Sequence, residues 1–385
     1  MNILVTGAKG FIGKNLCATL EAMRDGKDKQ HALPPPITVL SFDVDSVPGT
    51  LDEYCARADF VVHLAGVNRP RDSGEFAAGN TDFTLDLLET LDRYGSEAPV
   101  LMTSSIQADM DNPYGRSKKA AEDAVFAYGV RGNVSVYVYR LPNVFGKWCR
   151  PNYNSAVATF CHNTARGLPI TVNDPIARMR LVYVDDVIDE IIGAVGGRSN
   201  KPSLSLDEFS QVKPVYDCTL GFVADTIRSF QYTRDTLSVP DMADDLTRKL
   251  YATYISYLPG DSFSYALKMN ADARGSFTEI IRTPDRGQFS VNITKPGVTK
   301  GNHWHHTKTE KFLVVSGQGA IRFRKIGESR VFEYRVSGDK PEAVDIPAGY
   351  THSIENTGSV DLVTFMWCNE LFDPDRPDTY YEQFT

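Results

Sequence analysis

Two groups of residues have the types and spacing to do chemistry. Tyr114 and Lys118, in Tyr114-Gly-Arg-Ser-Lys118, stand four positions apart, which puts both on one face of a helix. Ser105, the last residue of Thr103-Ser104-Ser105, precedes Tyr114 by nine positions. A phenol exchanges a proton near neutral pH only with help: an ammonium one turn away favours the phenolate, and a serine hydroxyl holds the substrate oxygen. Ser105, with Ser104 as a close rival, Tyr114 and Lys118 are therefore the candidate catalytic set for hydride transfer between a ketone and an alcohol. The second group is His303-Trp-His305-His306-Thr-Lys-Thr-Glu310, followed by Pro347-Ala-Gly-Tyr-Thr-His352. On a strand His303 and His305 face the same side, so with Glu310 and His352 they offer three imidazoles and a carboxylate to a divalent metal. His306 faces the other way, which suits acid/base work or support of the ligands. The competing reading is a histidine patch facing solvent.

The elements that must position the first group begin at the N-terminus. Asn2–Thr6 reads as a buried strand, Gly7-Ala-Lys-Gly10-Phe-Ile-Gly13 follows, and Phe11, Ile12, Leu16, Leu20 and Met23 open a helical pattern. Gly7 permits the tight turn, Gly10 close approach to a pyrophosphate and Gly13 close helix–strand packing, while the helix N-terminus attracts negative charge. In that context the glycines form a dinucleotide fingerprint, and Gly7, Lys9, Gly10, Phe11, Ile12 and Gly13 are candidate cofactor contacts. Further apolar runs at 37–42, 60–65, 100–103 and 134–141 alternate with helical stretches at 83–91 and 120–128, which implies a doubly wound parallel sheet. Asp59-Phe-Val-Val-His63-Leu64-Ala65-Gly66 ends one strand, so Leu64 and Ala65 fall at the ligand-binding edge, and His63 is either part of that edge or sheet core. Asp43 or Asp45 after the second strand suits the adenosine 2′-hydroxyl of NAD, whereas Lys9 suits the 2′-phosphate of NADP(H); an aspartate there also commonly caps a loop. After Arg140, the stretch Asn143-Val-Phe-Gly-Lys147-Trp-Cys-Arg150-Pro-Asn-Tyr-Asn-Ser155 is rich in polar, aromatic and basic groups. Asn143, Lys147, Arg150, Arg178, Arg180 and Arg69 are candidate contacts to an anionic, sugar-bearing substrate, against a solvated surface role for each.

The chain has 385 residues, 42% apolar and 23% charged, more than one core usually serves. From about residue 200 the pattern changes, with a Ser205-Leu-Asp-Glu208 capping signal and helical spacing over 222–230 and 242–257. Beyond Gly275 short alternating runs with glycine turns predict a β-barrel or jelly roll. The expected domains are 1–255 and 256–385. Six cysteines without a CxxC pair suit reduced thiols in the cytoplasm, and the N-terminus lacks the pattern of a signal peptide. A formal charge of −8 argues against nucleic acid as a partner, and no run is long and apolar enough for a membrane span.

With TGAKGFIG, DFVVHLAG, YGRSK, RLPNVFG and LVYVDDV in this order, residues 1 to about 200 resemble the extended short-chain dehydrogenase/reductases, an α/β Rossmann fold. That resemblance implies Ser105, Tyr114 and Lys118 as the triad, although the loop between Ser105 and Tyr114 is shorter than in many relatives. HxHxxxxE, then Gly317, then PxGxxH resemble the two metal motifs of the all-β cupin (jelly-roll) family. The combination, with GKWCRPNYNS, GNHWHHTKTEKFLVVSG and FDPDRPDTY, resembles the CapF-type enzymes of capsular polysaccharide synthesis across the whole chain. It implies a UDP-2-acetamido-2,6-dideoxy-4-hexulose as substrate, C3 epimerisation in the cupin, then NADPH-dependent reduction at C4. The product that the resemblance implies is a 2-acetamido-2,6-dideoxy-L-talose nucleotide on the route to UDP-N-acetyl-L-fucosamine. The resemblance, like Lys9, favours NADP(H) over NAD; the expected divalent ion is zinc, with manganese, iron or nickel as alternatives, and the pairing of cupin barrels through their edge strands implies a homodimer. His306, Tyr350, Lys308 and Lys311 are the visible candidates for the epimerising acid/base pair. Two other readings stay open: a reductase whose cupin only stabilises or dimerises, and a nucleotide-sensing regulator, against which the intact Ser105, Tyr114 and Lys118 argue.

Overall fold

The computed structural model describes residues 1–70, 72, 74–198 and 209–384; the capping signal at 205–208 lies outside the described residues. The chain forms two compact units, Met1–Arg228 with Ala243–Pro259, and Ser229–Met242 with the residues from Gly260 onward.

The first unit is built on five parallel strands in the order β2-β1-β3-β4-β5: β1 Asn2–Thr6, β2 Thr38–Phe42, β3 Phe60–His63, β4 Val100–Ser105 and β5 Val136–Leu141. Their side chains alternate between two apolar layers, as parallel strands covered on both faces must. Ile3, Val5, Phe60, Val62 and Leu101 join the layer under helices Phe11–Arg24 and Val184–Val195. Leu4, Val61, Val100 and Met102 join the opposite layer under helices Phe83–Arg93 and Pro113–Gly132. The chain runs from β1 to β2 on one side and returns to β3 on the other, so the strand order switches beside β1. That switch opens a crevice at the strands' carboxyl ends.

Helix Pro113–Gly132 is started by Asn112, whose Oδ1 accepts from the Gly115 amide at 2.8 Å, and by proline at its first position, where no amide is needed. It is closed by Asn133 in the left-handed conformation, φ 53°. This start places Tyr114 in the first turn and Lys118 one turn further in. A smaller sheet, β6 Asn143–Phe145, β7 Arg178–Tyr183 and β8 Tyr216–Thr219, completes the unit with helix Asp245–Ser256.

The second unit is a sandwich of two predominantly antiparallel sheets. One has six strands in the order β16-β13-β18-β11-β10-β9: β9 Met269–Asp272, β10 Gly275–Thr283, β11 Gly287–Thr294, β13 Glu310–Ser316, β16 Ala343–Ile346 and β18 Leu362–Cys368. The other has five in the order β15-β14-β17-β12-β19: β12 Thr299–Trp304, β14 Gln318–Lys325, β15 Val331–Ser337, β17 Tyr350–Asn356 and β19 Tyr380–Tyr381. Phe312, Val314, Ile321, Phe323 and Ile354 fill the space between them, the jelly-roll arrangement of a cupin.

Candidate functional site

In the first unit a cleft of about 870 Å³ lies at the carboxyl edge of the sheet. Its lining includes Gly7, Lys9, Gly10, Phe11, Ile12 and Gly13 from the glycine turn, Leu64 and Ala65 beyond β3, Ser104 and Ser105 at the end of β4, and Tyr114 and Lys118. Gly7 adopts φ +69°, and a Cβ there would meet the Ala65 amide at 2.7 Å; a Cβ on Gly13 would meet the Gly7 carbonyl at 2.1 Å. Only glycine lets the two strand ends and the helix come this close, which leaves a cradle suited to a pyrophosphate.

The Ser105 side chain is close enough to the Tyr114 phenol to pull its pKa down, and Ser105 Oγ accepts from the Gln107 amide at 3.1 Å. Ser104 Oγ is buried without a hydrogen-bond partner, and of the two serines it is Ser105 that acts on the phenol. Lys118 is buried, donates to the Thr103 carbonyl at 2.9 Å, and is pushed down to about 8 by burial, with Glu122 opposing. The Tyr114 hydroxyl is raised above its usual value by burial, which outweighs the Ser105 hydrogen bond. The expectation from sequence was an ammonium favouring the phenolate; burial, invisible in the spacing, runs the other way in the protein alone.

The residues set against each other over cofactor choice are partners. Lys9 Nζ donates to Asp45 at 2.5 Å, while Asp43 accepts from the Lys9 amide at 2.7 Å and from the Val44 amide at 2.8 Å. Asp43 thus caps the glycine turn. Of the expected substrate contacts, Asn143 and Arg150 line the cleft, where Arg150 lies over the Tyr153 ring at 5.2 Å. Lys147 is bound to Asp185 and Arg178 to Asp217 at 2.6 Å, and neither they nor Arg180 nor Arg69, both exposed, belong to the lining. His63 is core: its ring is buried between Thr6 Oγ1 at 2.7 Å and Thr84 Oγ1 at 2.9 Å. Sequence reasoning missed Asn80, which lines the cleft and bonds both the Val67 main chain and Ser117; a lone asparagine in a helix carries no signal.

In the second unit His303 and His352 are directly paired across β12 and β17, beyond a bulge between Gly301 and His303 where Asn302 takes φ 59°. One potential ligand atom from each of His303, His305, Glu310 and His352 lies within 4.8 Å of the others. Glu310 Oε2 is 3.2 Å from His352 Nε2 and 3.6 Å from His305 Nε2. Burial, with the neighbouring His352 and His305, pushes the His303 imidazole down to about 4, so it is neutral near pH 7 as a metal ligand must be. His305 Nε2 and Glu310 Oε2 are buried without a hydrogen-bond partner. Two orphaned donor atoms facing each other in a buried group of three imidazoles and one carboxylate fit a bound divalent cation.

His306 is exposed and packs on Trp304 at 4.6 Å and Tyr380 at 4.9 Å, away from this group as its register implied. Lys311 follows Glu310, faces the other side of β13 and is bound to Asp345. Lys308 is buried, its Nζ 2.5 Å from the Pro377 carbonyl. Tyr350, two residues before His352 on β17, shares its face and packs against the apolar interior.

Comparison with known proteins agrees with both units. The NAD dependent epimerase/dehydratase family matches residues 3–202, and the polysaccharide biosynthesis C-terminal domain matches 270–380. A UDP-2-acetamido-2,6-beta-L-arabino-hexul-4-ose reductase of Pseudomonas aeruginosa is 47% identical over 99% of this chain and 98% of its own length. The crystal structure of the capsular polysaccharide assembling protein CapF from Staphylococcus aureus superposes with a TM-score of 0.90 and 49% identity, over 100% of both chains. RMD from Pseudomonas aeruginosa, solved with NADPH, shares 20% identity and a TM-score of 0.51 over 66% of this chain and 97% of its own, a likeness of fold alone. The family match over residues 3–202, with the whole-chain likeness to CapF and to the Pseudomonas aeruginosa reductase, places this chain in the NAD dependent epimerase/dehydratase family, among the CapF-type enzymes.

Proposed function

We propose that this protein is a bifunctional nucleotide-sugar enzyme. It epimerises C3 of a UDP-2-acetamido-2,6-dideoxy-4-hexulose in its cupin unit and then reduces C4 in its Rossmann unit. The product is the 2-acetamido-2,6-dideoxy-L-talose nucleotide on the route to UDP-N-acetyl-L-fucosamine. The observation that supports the reductive half of this reading is the 47% identity, over 99% of the chain, to a UDP-2-acetamido-2,6-beta-L-arabino-hexul-4-ose reductase.

When bound, NADPH supplies the hydride and a divalent cation, zinc by preference, supplies Lewis acidity. The glycine turn holds the pyrophosphate, with Lys9 toward the adenosine end. At C4 the Ser105 hydroxyl orients the ketone oxygen, and Tyr114 passes its proton to that oxygen as it gains negative charge. Lys118, held by Thr103, stabilises the phenolate left behind. Asn143 and Arg150 face the sugar nucleotide. In the cupin His303, His305, Glu310 and His352 hold the ion. The C4 ketone acidifies the C3 proton, whose removal and return on the opposite face fall to a pair drawn from His306, Tyr350 and Lys308. Tyr350, on the face of His352, is best placed among them, and His306 acts only if a substrate reaches the outer side of β12.

The test is incubation with candidate UDP-4-keto sugars and NADPH or NADH, with the product's stereochemistry resolved by NMR. Solvent deuterium entering C3 before reductant is added supports the epimerase; its absence leaves the cupin a structural role. The reading also makes the protein a cytoplasmic homodimer; among the described residues no helix is long and apolar enough to cross a membrane.

A further inference from the structure

We propose that Asp378 is the positioning residue of the metal cage, fixing His305 through its carbonyl and the loop that follows His305 through its carboxylate. The inference rests on the metal reading above. The turn between β12 and β13 carries His305 and leads to Glu310, and its amides have no strand to pair with. Asp378 supplies acceptors for three of them: Oδ1 takes the His306 amide at 3.0 Å, and Oδ2 takes the Thr307 amide at 2.9 Å and the Lys308 amide at 3.2 Å. The Thr307 hydroxyl adds a bond to Oδ2 at 3.0 Å. One carboxylate in a ring of consecutive amides sets the path of the backbone between two metal-cage residues.

The carbonyl of the same residue does a second job. It lies 2.6 Å from His305 Nδ1. A carbonyl only accepts, so Nδ1 carries the proton and the lone pair sits on Nε2, the atom that faces Glu310 and has no partner of its own. One residue turns both groups inward because its backbone is left-handed, at φ 38°, a conformation open to glycine, asparagine and aspartate but strained for most side chains. The neighbours lock the segment in place. Pro377 accepts from Lys308 Nζ, Tyr380 and Tyr381 pair with Trp304 and His303 as β19 against β12, and the Tyr380 ring stacks on Trp304 at 4.7 Å. The stretch from Pro377 to Tyr381 thus clasps the metal-bearing strand end from outside the cage.

The test uses the full chain, stripped of metal and reloaded. Zinc affinity is measured by chelator competition, and the visible spectrum of the cobalt(II)-loaded protein reports ligand geometry. Asp378→Ala is expected to weaken zinc binding about 10- to 100-fold, the range for lost support of a ligating imidazole, and to change the cobalt spectrum. Asp378→Asn, which tolerates the left-handed backbone and keeps one acceptor oxygen, is expected to lose several-fold and remains decisive if the alanine variant does not fold. Zinc affinity within twofold of the parent and an unchanged cobalt spectrum in a folded variant overturn the proposal, even where the melting temperature falls. If the parent itself takes up neither zinc nor cobalt, the metal reading fails first and this inference with it.

Discussion

Lys9 Nζ lies 2.5 Å from Asp45 Oδ2, so the basic group that favours a 2′-phosphate is held by an acid that disfavours one. Both side chains are largely exposed, and the Lys9 ammonium draws the Asp45 carboxyl below its usual range. Removing the acid's charge frees the lysine for phosphate. Asp45→Asn is expected to raise the ratio of kcat/KM for NADPH over NADH by about two- to fivefold, the size that exposed charge pairs reach, and Lys9→Ala to lower it. The ratio should respond less at high salt, because exposed charges are screened. Equal ratios in parent and both variants would show that 2′-phosphate recognition lies elsewhere.

The two serines at the end of β4 differ in their bonding, and the difference predicts their fates. Tyr114→Phe removes the proposed proton donor and should lower kcat for ketone reduction about 10²- to 10⁴-fold while dinucleotide binding, followed by fluorescence, persists. Ser105→Ala should lose about 10- to 100-fold through the phenol beside it, whose pKa Ser105 lowers. Ser104→Ala should leave stability unchanged or slightly higher, because it deletes a buried hydroxyl that has no partner. A larger activity loss in Ser104→Ala than in Ser105→Ala would exchange their roles.

Much of this arrangement is legible in the residues because it depends on short-range pattern. Asn2–Thr6 followed by three glycines can hardly be anything but a strand, a turn and a helix, and His303 and His305 bring their rings to 5.0 Å although β12 ends at Trp304. What was not legible depends on partners distant in the chain. Arg178 and Lys147 look available for a diphosphate until Asp217 and Asp185 fold against them. Asp43 and Lys9 read as rivals because nothing local says that the Asp43 carboxylate caps the Lys9 amide. The raised Tyr114 hydroxyl comes from burial, which a four-residue spacing does not report. Asp378 was the hardest to see, since an aspartate between proline and threonine carries no periodicity, and its role comes from a left-handed backbone and the strand it lies beside.

The proposed metal cage predicts separable activities. Replacing His303 and His305 together removes two of the four proposed ligands, so metal content by elemental analysis should fall from near one ion per chain to near zero. Solvent deuterium uptake at C3 should drop at least 100-fold, while reduction of an already epimerised 4-keto substrate, which depends on Tyr114 and Lys118, should stay within a few-fold. Loss of both reactions in a folded variant would mean that the two chemistries share one site.

Buried His63 should make the first unit acid-sensitive over a defined window. Burial first, and then the charge on Lys118, push its imidazole from an ordinary value of 6.5 down to about 3. Below 6.5 the unfolded chain binds a proton that the folded one refuses, so the stability this group contributes is complete above about pH 6.5 and is lost as pH falls toward 3. The slope is about 1.4 kcal/mol per pH unit within that window. His63→Gln keeps a donor and an acceptor for Thr6 and Thr84 but does not titrate. It should be less stable than the parent at pH 7, by about 1–3 kcal/mol for the imperfect fit, and should lose less on going to pH 5. Urea midpoints of both proteins at the two pH values give the double difference, in which the other titrating groups cancel. Parallel losses in the two proteins would mean that the imidazole is protonated inside the fold with the help of its threonine partners.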